Sequence, residues 1–450
     1  MSAARGIRTA SLIALAILVG SCATLEQGGG PASPPVPPAR GTAALAPPAP
    51  LALDREPVID VGLALDLDAV TLEPLVAATL ERGGGREAAS EGAGATPITA
   101  RAEGGRVQVG WKAGRSVWTL APRETLFVHG AQHGTADDPF RTRWNGKTWR
   151  GGFKVFLNPR GRLTLAVRLP LETYLLGVVP GEIGALAEDQ IEAGRAQAIA
   201  ARSYTLFYRG RRAAEGFDLY GSVEDQLYGP VESERPLATR CVETTRGRLA
   251  LSGGQPIRAN YCSTCGGITA EVWEAWPAAP LPYLVSHLDR GPGDFCAASP
   301  QYRWREEWSA AAFAATVTRF APAQGLALPA GGVGALREVR IEARSRSGRV
   351  WRLAVETSTG TITIPAYSIR QVLRRPSGNG SAILRSNLFK LDVRREAVTG
   401  RPLAVVVSGA GSGHGVGLCQ TGALGMARAG RSADQILEHY YRGVALKRLY

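Results

Sequence analysis

A chain of 450 residues with 45% hydrophobic content is long enough for two or three domains with substantial cores. Its formal net charge of +13 is spread along the chain instead of gathered into one basic stripe, which argues against nucleic acid as a partner. In an exported protein such a charge fits either an anionic envelope polymer or a high-arginine proteome.

The first segment is a targeting signal, which makes the protein an exported one. Arg5 and Arg8 precede the short apolar run "ASLIALAILVG", and "LVGSC" then presents small residues before Cys22. This pattern predicts a signal peptide over 1–22 with Cys22 as a lipidation site, against a plain secretory signal as the alternative. Residues 23–55, rich in Pro and Ala, read as an extended tether with nothing to pack. The expected location is the cell envelope, with the chain lipid-anchored on the extracytoplasmic or periplasmic face. No other run is apolar enough to span a bilayer.

Residues 56–150 read as a β-rich N-terminal region, through "VIDVGLALDLD", "RVQVGWKAG" and "SVWTLAP". Residues 83–96, rich in Gly, Ala and Glu, read as a loop. The run "FKVFLNPRGRLTLAVRLP" predicts a hairpin turning at "NPRG". Residues 151–450 read as a second, mixed domain, with a β-rich subdomain around 310–400.

The helix expected over 186–208 places Leu186, Ile191, Ala198, Ala201 and Thr205 on one face, with alanines allowing close packing. Residues 236–288 read as β-rich and 308–320 as helical. Alternating strands follow over 336–396, with a short helix at "SIRQVLRR". In "SADQILEHYYRG", Ser432 is the expected N-cap, Gln435 its capping-box partner and Gly443 the terminator. The fold class is α+β with a large β component.

Two stretches stand out for chemistry. "GVVPGEIG" holds Glu182 between glycines and after Pro180, in what reads as a stiff turn at the mouth of the following helix. Glu182 is there a helix-cap acid, a solvated charge, or a carboxyl aimed for catalysis. A nearby helix N-terminus would lower its pKa, whereas a general acid needs burial to raise it. "SGHGVG" embeds His414 among glycines, either to meet a ligand or to make a turn bond, and "QTGALGMARAG" after it reads as a helix of small residues.

Six cysteines include Cys22, leaving Cys241, Cys262, Cys265, Cys296 and Cys419. The Cys262/Cys265 spacing suits a redox pair or half a zinc site, with Cys296, His287 or Cys241 able to complete one. There is no second C-x-x-C, and His129/His133 lie where no helix is expected to align them. Disulfides among Cys241, Cys262, Cys265 and Cys296 are the favoured expectation in an oxidising compartment. No G-x-S-x-G elbow, P-loop, H-E-x-x-H or dinucleotide fingerprint occurs.

Taken in order, "LPLETYLLGVVPGEI", "EAGRAQAIAARSYTL", "DLYGSVEDQLYG", "NYCSTCGGITAEVW", "PYLVSHLD", "RSRSGRV" and "SGHGVGLCQTGALGMARAGRSADQILEHYYRG" resemble the SpoIID/LytB family. The resemblance covers about residues 150–450, with the strands from "VIDVGLA" onward like the family's leader region. It implies a mixed α/β catalytic domain with a substrate cleft and a peptidoglycan lytic transglycosylase activity. Such enzymes cleave the β-1,4 bond between N-acetylmuramic acid and N-acetylglucosamine without water and leave 1,6-anhydro ends, SpoIID-type members favouring peptide-denuded strands.

The resemblance puts the catalytic acid at Glu182. It makes Arg202, Ser203, Tyr204, Gln226, Tyr228, Ser263, Gly266, His414 and Gln420 the expected substrate-binding residues. The alternative it implies is a non-catalytic glycan-binding enhancer of an N-acetylmuramoyl-L-alanine amidase. Expected partners are therefore glycan strands, an amidase, and the membrane through the lipid. Some members bind zinc through a His/Cys cluster before the Gln-x-Tyr. Here "YGSVEDQLYG" has no thiol or imidazole, so that zinc does not carry over and no cofactor is expected.

Overall fold

The computed structural model describes residues 50–450 apart from 83–84, 89–95, 112–115, 131–139, 379 and 381. Cys22, the signal segment, most of the tether and His133 lie outside the described residues. The architecture is α+β. Among the described residues the α-helices are α1 (Leu171–Ile183), α2 (Ile191–Tyr208), α3 (Pro236–Thr244), α4 (Ala310–Phe320), α5 (Ala366–Val372), α6 (Gln420–Arg428) and α7 (Ala433–Tyr440). No described helix is long and apolar enough to cross a membrane.

Local chemistry explains where several elements start and stop. The predicted hairpin forms from Gly152–Leu157 and Leu163–Pro170, closing at Leu157 opposite Leu163. Its turn is held by Asn158, whose side-chain oxygen accepts from the Arg160 N–H at 2.9 Å, with Gly161 supplying a positive φ of 72°. Ser309 caps α4 by accepting from the Ala312 N–H at 3.2 Å. Ser432 and Gln435 cap α7 reciprocally, at 3.3 and 3.0 Å.

Two readings change. Residues 236–244 are a helix, opened by Pro236 at its first position, where the missing N–H costs nothing. The 83–96 segment includes a strand, Gly85–Ala88, paired with Thr79–Arg82.

The hairpin sits inside a seven-stranded sheet. There Val58–Leu67 pairs with Leu163–Pro170, and Leu126–His129 with Gly152–Leu157. Strands on both sides of residue 150 thus share one sheet. A six-stranded sheet from Ala69 to Arg150 packs into the same apolar core, which also takes in α1, α2, α6 and α7. A separate core joins Trp304, Phe313, Leu353, Ile369 and Val407, from two three-stranded sheets with α4 and α5.

Helix α2 is the hub of the first core, packed on α1, α3, α6, α7 and the strand Arg248–Ser252. Its alanines and Gly194 permit this, since a Cβ at Gly194 would strike Cys241 and Leu186.

One buried ion pair locks α1 to α2. Arg202 forks onto Glu172 at 2.8 and 2.7 Å, and Glu172 also accepts from the Tyr450 hydroxyl at 2.6 Å and the Gly247 N–H at 3.0 Å. Burial pushes the Glu172 carboxyl up, but Arg202, Tyr450 and Gly247 outweigh it and hold the group below its ordinary value of 4.5. Stability from this carboxylate is therefore complete above the unfolded-chain pKa and is lost as pH falls through the lower folded value. We expect Arg202→Leu to cost about 3–5 kcal/mol in denaturant unfolding by stranding a buried charge. Glu172→Gln should flatten the acid limb of the stability curve; an unchanged limb would refute the linkage.

Candidate active site

Glu182 does not sit in a turn before a helix. It is the penultimate residue of α1, whose last turn contains Pro180 and which ends at Gly184 with φ 79°. The next regular element is a short 3-10 turn at Glu188–Gln190, ahead of α2. The carboxyl therefore lies at the negative end of a helix dipole, not the positive one. It is half-buried, between exposed Gly181 and the exposed side chain of Leu227.

Burial raises the Glu182 pKa above 4.5, against three hydrogen bonds that favour the charged form. The Leu227 N–H donates to Oε1 at 2.8 Å, the Gln420 amide to Oε2 at 3.4 Å, and the Tyr261 hydroxyl completes the set. Desolvation wins, which is the condition a neutral-pH acid requires.

The Leu227 N–H reaches Glu182 because two glycines let a loop lie directly on α1. A Cβ at Gly177 would fall 2.5 Å from the Gly229 carbonyl, and one at Gly181 would fall 2.9 Å from the Leu227 carbonyl. The Gly229 N–H in turn donates to the Gly177 carbonyl at 3.2 Å.

Behind the carboxyl runs a buried polar chain centred on Gln226, which is fully buried. The Gln226 oxygen accepts from Thr205 at 2.7 Å and from Tyr174 at 3.3 Å, while its amide nitrogen donates to the Ala201 carbonyl and to Tyr261 at 3.1 Å. Every hydrogen-bonding position of that amide is used, so the Tyr261 hydroxyl is aimed at Glu182.

His414 steadies the same tyrosine. Its Nδ1 accepts from the Val416 N–H at 3.0 Å, which leaves Nε2–H to donate to the Tyr261 carbonyl. Burial, then Arg370 and Arg349, pull its pKa down to about 3, so the ring is neutral. Trp276 packs against it at 4.7 Å.

The Gly-rich motif around His414 is braided with the "NYCSTCGG" segment. Tyr261 and Cys262 pair with Leu418 and Cys419, and Thr264 bridges to Ser412. Gly411, Gly413, Gly415 and Gly417 all adopt positive φ, which explains a glycine at every second place.

The structure thus gathers Glu182, Gln226, Gln420 and His414, with the Tyr204 ring 6.0 Å from that of Tyr261. It does not bring in the others. Arg202 belongs to the ion pair with Glu172, and Ser203 spends its hydroxyl on the Ile199 carbonyl and the Ala250 N–H. Tyr228 is buried against Tyr174 and Trp149. Gly266 lies against Ala410, and exposed Ser263 offers its carbonyl to Thr421. Tyr261 and Tyr174 escaped the sequence reading, although Tyr261 stands one residue before the conspicuous C-x-x-C, and Thr205 entered it only as a packing position of the helix. A cavity of about 770 Å³ beside Asp54, Arg168, Arg209 and Asp218 shares none of these residues.

The expected disulfides do not form: Cys241, Cys262, Cys265, Cys296 and Cys419 are all free and buried. Cys241 faces the Ile191 carbonyl, and Cys265 Sγ lies 3.8 Å from Cys296 Sγ, far beyond a covalent S–S bond of about 2.05 Å.

These features describe an α+β protein with a half-buried, desolvated carboxyl at a helix end. Residues 159–251 match the SpoIID family, described as stage II sporulation protein, and residues 293–417 match a domain of unknown function, DUF8618. The chain is 28% identical to stage II sporulation protein D of Bacillus subtilis (strain 168) over 294 residues, covering 62% of this chain and 74% of that protein. The Bacillus amyloliquefaciens protein of the same name is also 28% identical, over 292 residues, 61% of this chain and 74% of its own length. The amidase enhancer of Bacillus subtilis (strain 168) is 26% identical over 313 residues, 60% of this chain but 40% of that longer protein. Residues 159–251 thus form a SpoIID-family segment, and the wider chain is similar to stage II sporulation protein D and to an amidase enhancer.

Gly177→Ala should push the 226–229 loop off α1 at a cost of about 1–3 kcal/mol. Hydrogen exchange at the Leu227 amide should then quicken; unchanged protection would show that the glycine contact does not set the loop.

Proposed function

We propose that this protein is an exported cell-wall enzyme, a lytic transglycosylase acting on glycan strands, with Glu182 as its only catalytic acid and base. The observation that carries the reading is the isolation of that carboxyl. Its hydrogen-bond partners are an amide N–H, a carboxamide and a phenol. Among the described residues no second carboxylate joins them. The nearby Asp225 is buried and spent on Arg211, Arg212 and the Tyr220 N–H.

Hydrolytic glycosidases need two carboxyls, one to protonate the leaving oxygen and one to attack or activate water. A single carboxyl suffices when the nucleophile belongs to the substrate. Glu182 gives its proton to the glycosidic oxygen as the bond from C1 to that oxygen breaks. The C6 hydroxyl of the muramic acid then bonds to C1, and its proton returns to Glu182. No water is consumed, and the acid is regenerated for the next cycle. In this reading Tyr261 and Gln420 orient the carboxyl and steady its charged form between the two transfers.

The likeness to an amidase enhancer supports a second reading, a glycan-binding stimulator of an amidase. Amidase turnover on sacculi, with and without this protein, separates the two. Stimulation that survives Glu182→Gln, with no anhydro ends by mass spectrometry, would replace the enzyme reading.

Glu182→Gln is expected to cut anhydromuropeptide release from denuded glycan by at least about 100-fold. A carboxyl whose folded pKa is raised adds stability below its unfolded pKa and loses it as pH rises through the folded value. The same variant should therefore melt higher than wild type at neutral pH, and a lower melting point would contradict the desolvation argument.

Wild-type turnover should fall as pH rises through the elevated Glu182 pKa. Tyr261→Phe removes a bond that favours the charged form, so it should lower the rate and move that alkaline limb to higher pH. A limb that stays in place would separate Tyr261 from the acid.

A further inference from the structure

Cys265, Asp289, Cys296 and Cys419 converge from three separate chain segments. Their ligand atoms all lie within 4.8 Å of one another, and all four residues are buried. We propose that these four side chains bind a structural zinc ion, a site distinct from Glu182 and independent of the activity assigned to it.

The spacing fits the ion. Tetrahedral zinc with Zn–S bonds of about 2.3 Å sets its sulfurs ~3.8 Å apart, and Cys265 Sγ lies 3.8 Å from Cys296 Sγ. Three sulfurs with one carboxylate oxygen make a donor set suited to zinc, and four protein ligands with no open position mark a structural site.

Backbone N–H groups point at two of the sulfurs. The Cys419 sulfur accepts from the Cys265 N–H at 3.1 Å and the Gly422 N–H at 3.3 Å, at the N-terminus of α6. The Cys265 sulfur accepts from the Gly267 N–H at 3.4 Å.

Asp289 is likewise prepared. One carboxylate oxygen is taken by His439 at 3.1 Å and Tyr440 at 2.9 Å, while the other faces the Cys265 sulfur at 3.0 Å. Outer partners of this kind fix a ligand's orientation at a metal. A fully buried carboxylate among three sulfurs is costly without a cation, and zinc supplies one.

The position explains what the ion does for the fold. Cys419 precedes Gln420, and Cys265 follows Tyr261 by four residues, so both ligands continue directly from the two side chains that contact Glu182. Zinc would tie the loop carrying Asp289 and Cys296 to this braided wall.

The full chain, purified without chelator, should contain about one zinc per molecule by elemental mass spectrometry. Cys296→Ser and Asp289→Ala should lose it, whereas Cys241→Ser and Glu182→Gln should retain it. Cobalt exchanged into wild-type protein should show tetrahedral ligand-field bands with thiolate charge transfer, a readout that survives if the ligand variants misfold. Metal-free wild type that takes up neither zinc nor cobalt would overturn the proposal. A Cys265–Cys296 disulfide in the native chain, found by non-reducing peptide mapping, would overturn it equally.

Discussion

The buried fork between Arg202 and Glu172 is the constraint on which the rest of the molecule depends. It joins α1, which ends in Glu182, to α2, which anchors the core. Because Glu172 also holds Tyr450 and Gly247, the same carboxylate fastens the segment at Tyr450 and the approach to the strand at Arg248–Ser252. Charges taken this far from water demand complete satisfaction, and here both groups have it. With α1 fixed at its start, its far end presents one carboxyl in one place.

At that far end the electrostatic logic reverses. Glu172 is surrounded by a cation and donors and is held charged, whereas Glu182 meets only neutral donors and a helix C-terminus. Two glutamates on one helix are thereby driven in opposite directions from the same ordinary value. The glycines on α1 make this possible, because only a bare backbone lets the 226–229 loop lie close enough to bring the Leu227 N–H to the acid. The fully used amide of Gln226 then aims Tyr261 from behind. The opposing wall, built from the braided motifs around Tyr261 and Gln420, lies beside the sulfur cluster. Packing and polar satisfaction on both sides leave the carboxyl little freedom to turn.

Much of this was legible along the chain. Alternation gave the strands at Val58–Leu67 and the hairpin around Asn158, and capping residues gave α4 and α7. Glu182 stood out as an acid among glycines, and the resemblance singled out Gln226, His414 and Gln420 beside it. Arg202 and Ser203 stood out equally, yet they serve the core, because a helix motif does not reveal which face turns inward. "GVVPGEIG" read as a turn because Gly and Pro are local breakers, whereas the surrounding core stabilises a helix through them. The cysteines read as disulfide partners because spacing cannot report that their sulfurs meet a buried aspartate.

What the sequence by itself determined is the inventory: the strand periods, the caps, the glycines that permit close approach, and a lone acid in a conspicuous motif. These follow from local chemistry, in which each residue's preference acts within a few neighbours. What only the tertiary structure decided is which groups are desolvated and what faces them. Glu182 becomes a desolvated carboxyl, Glu172 a fixed anion and Cys419 a neighbour of Asp289 because segments far apart in the chain meet. Burial and partner geometry are properties of that meeting, and no local pattern encodes them.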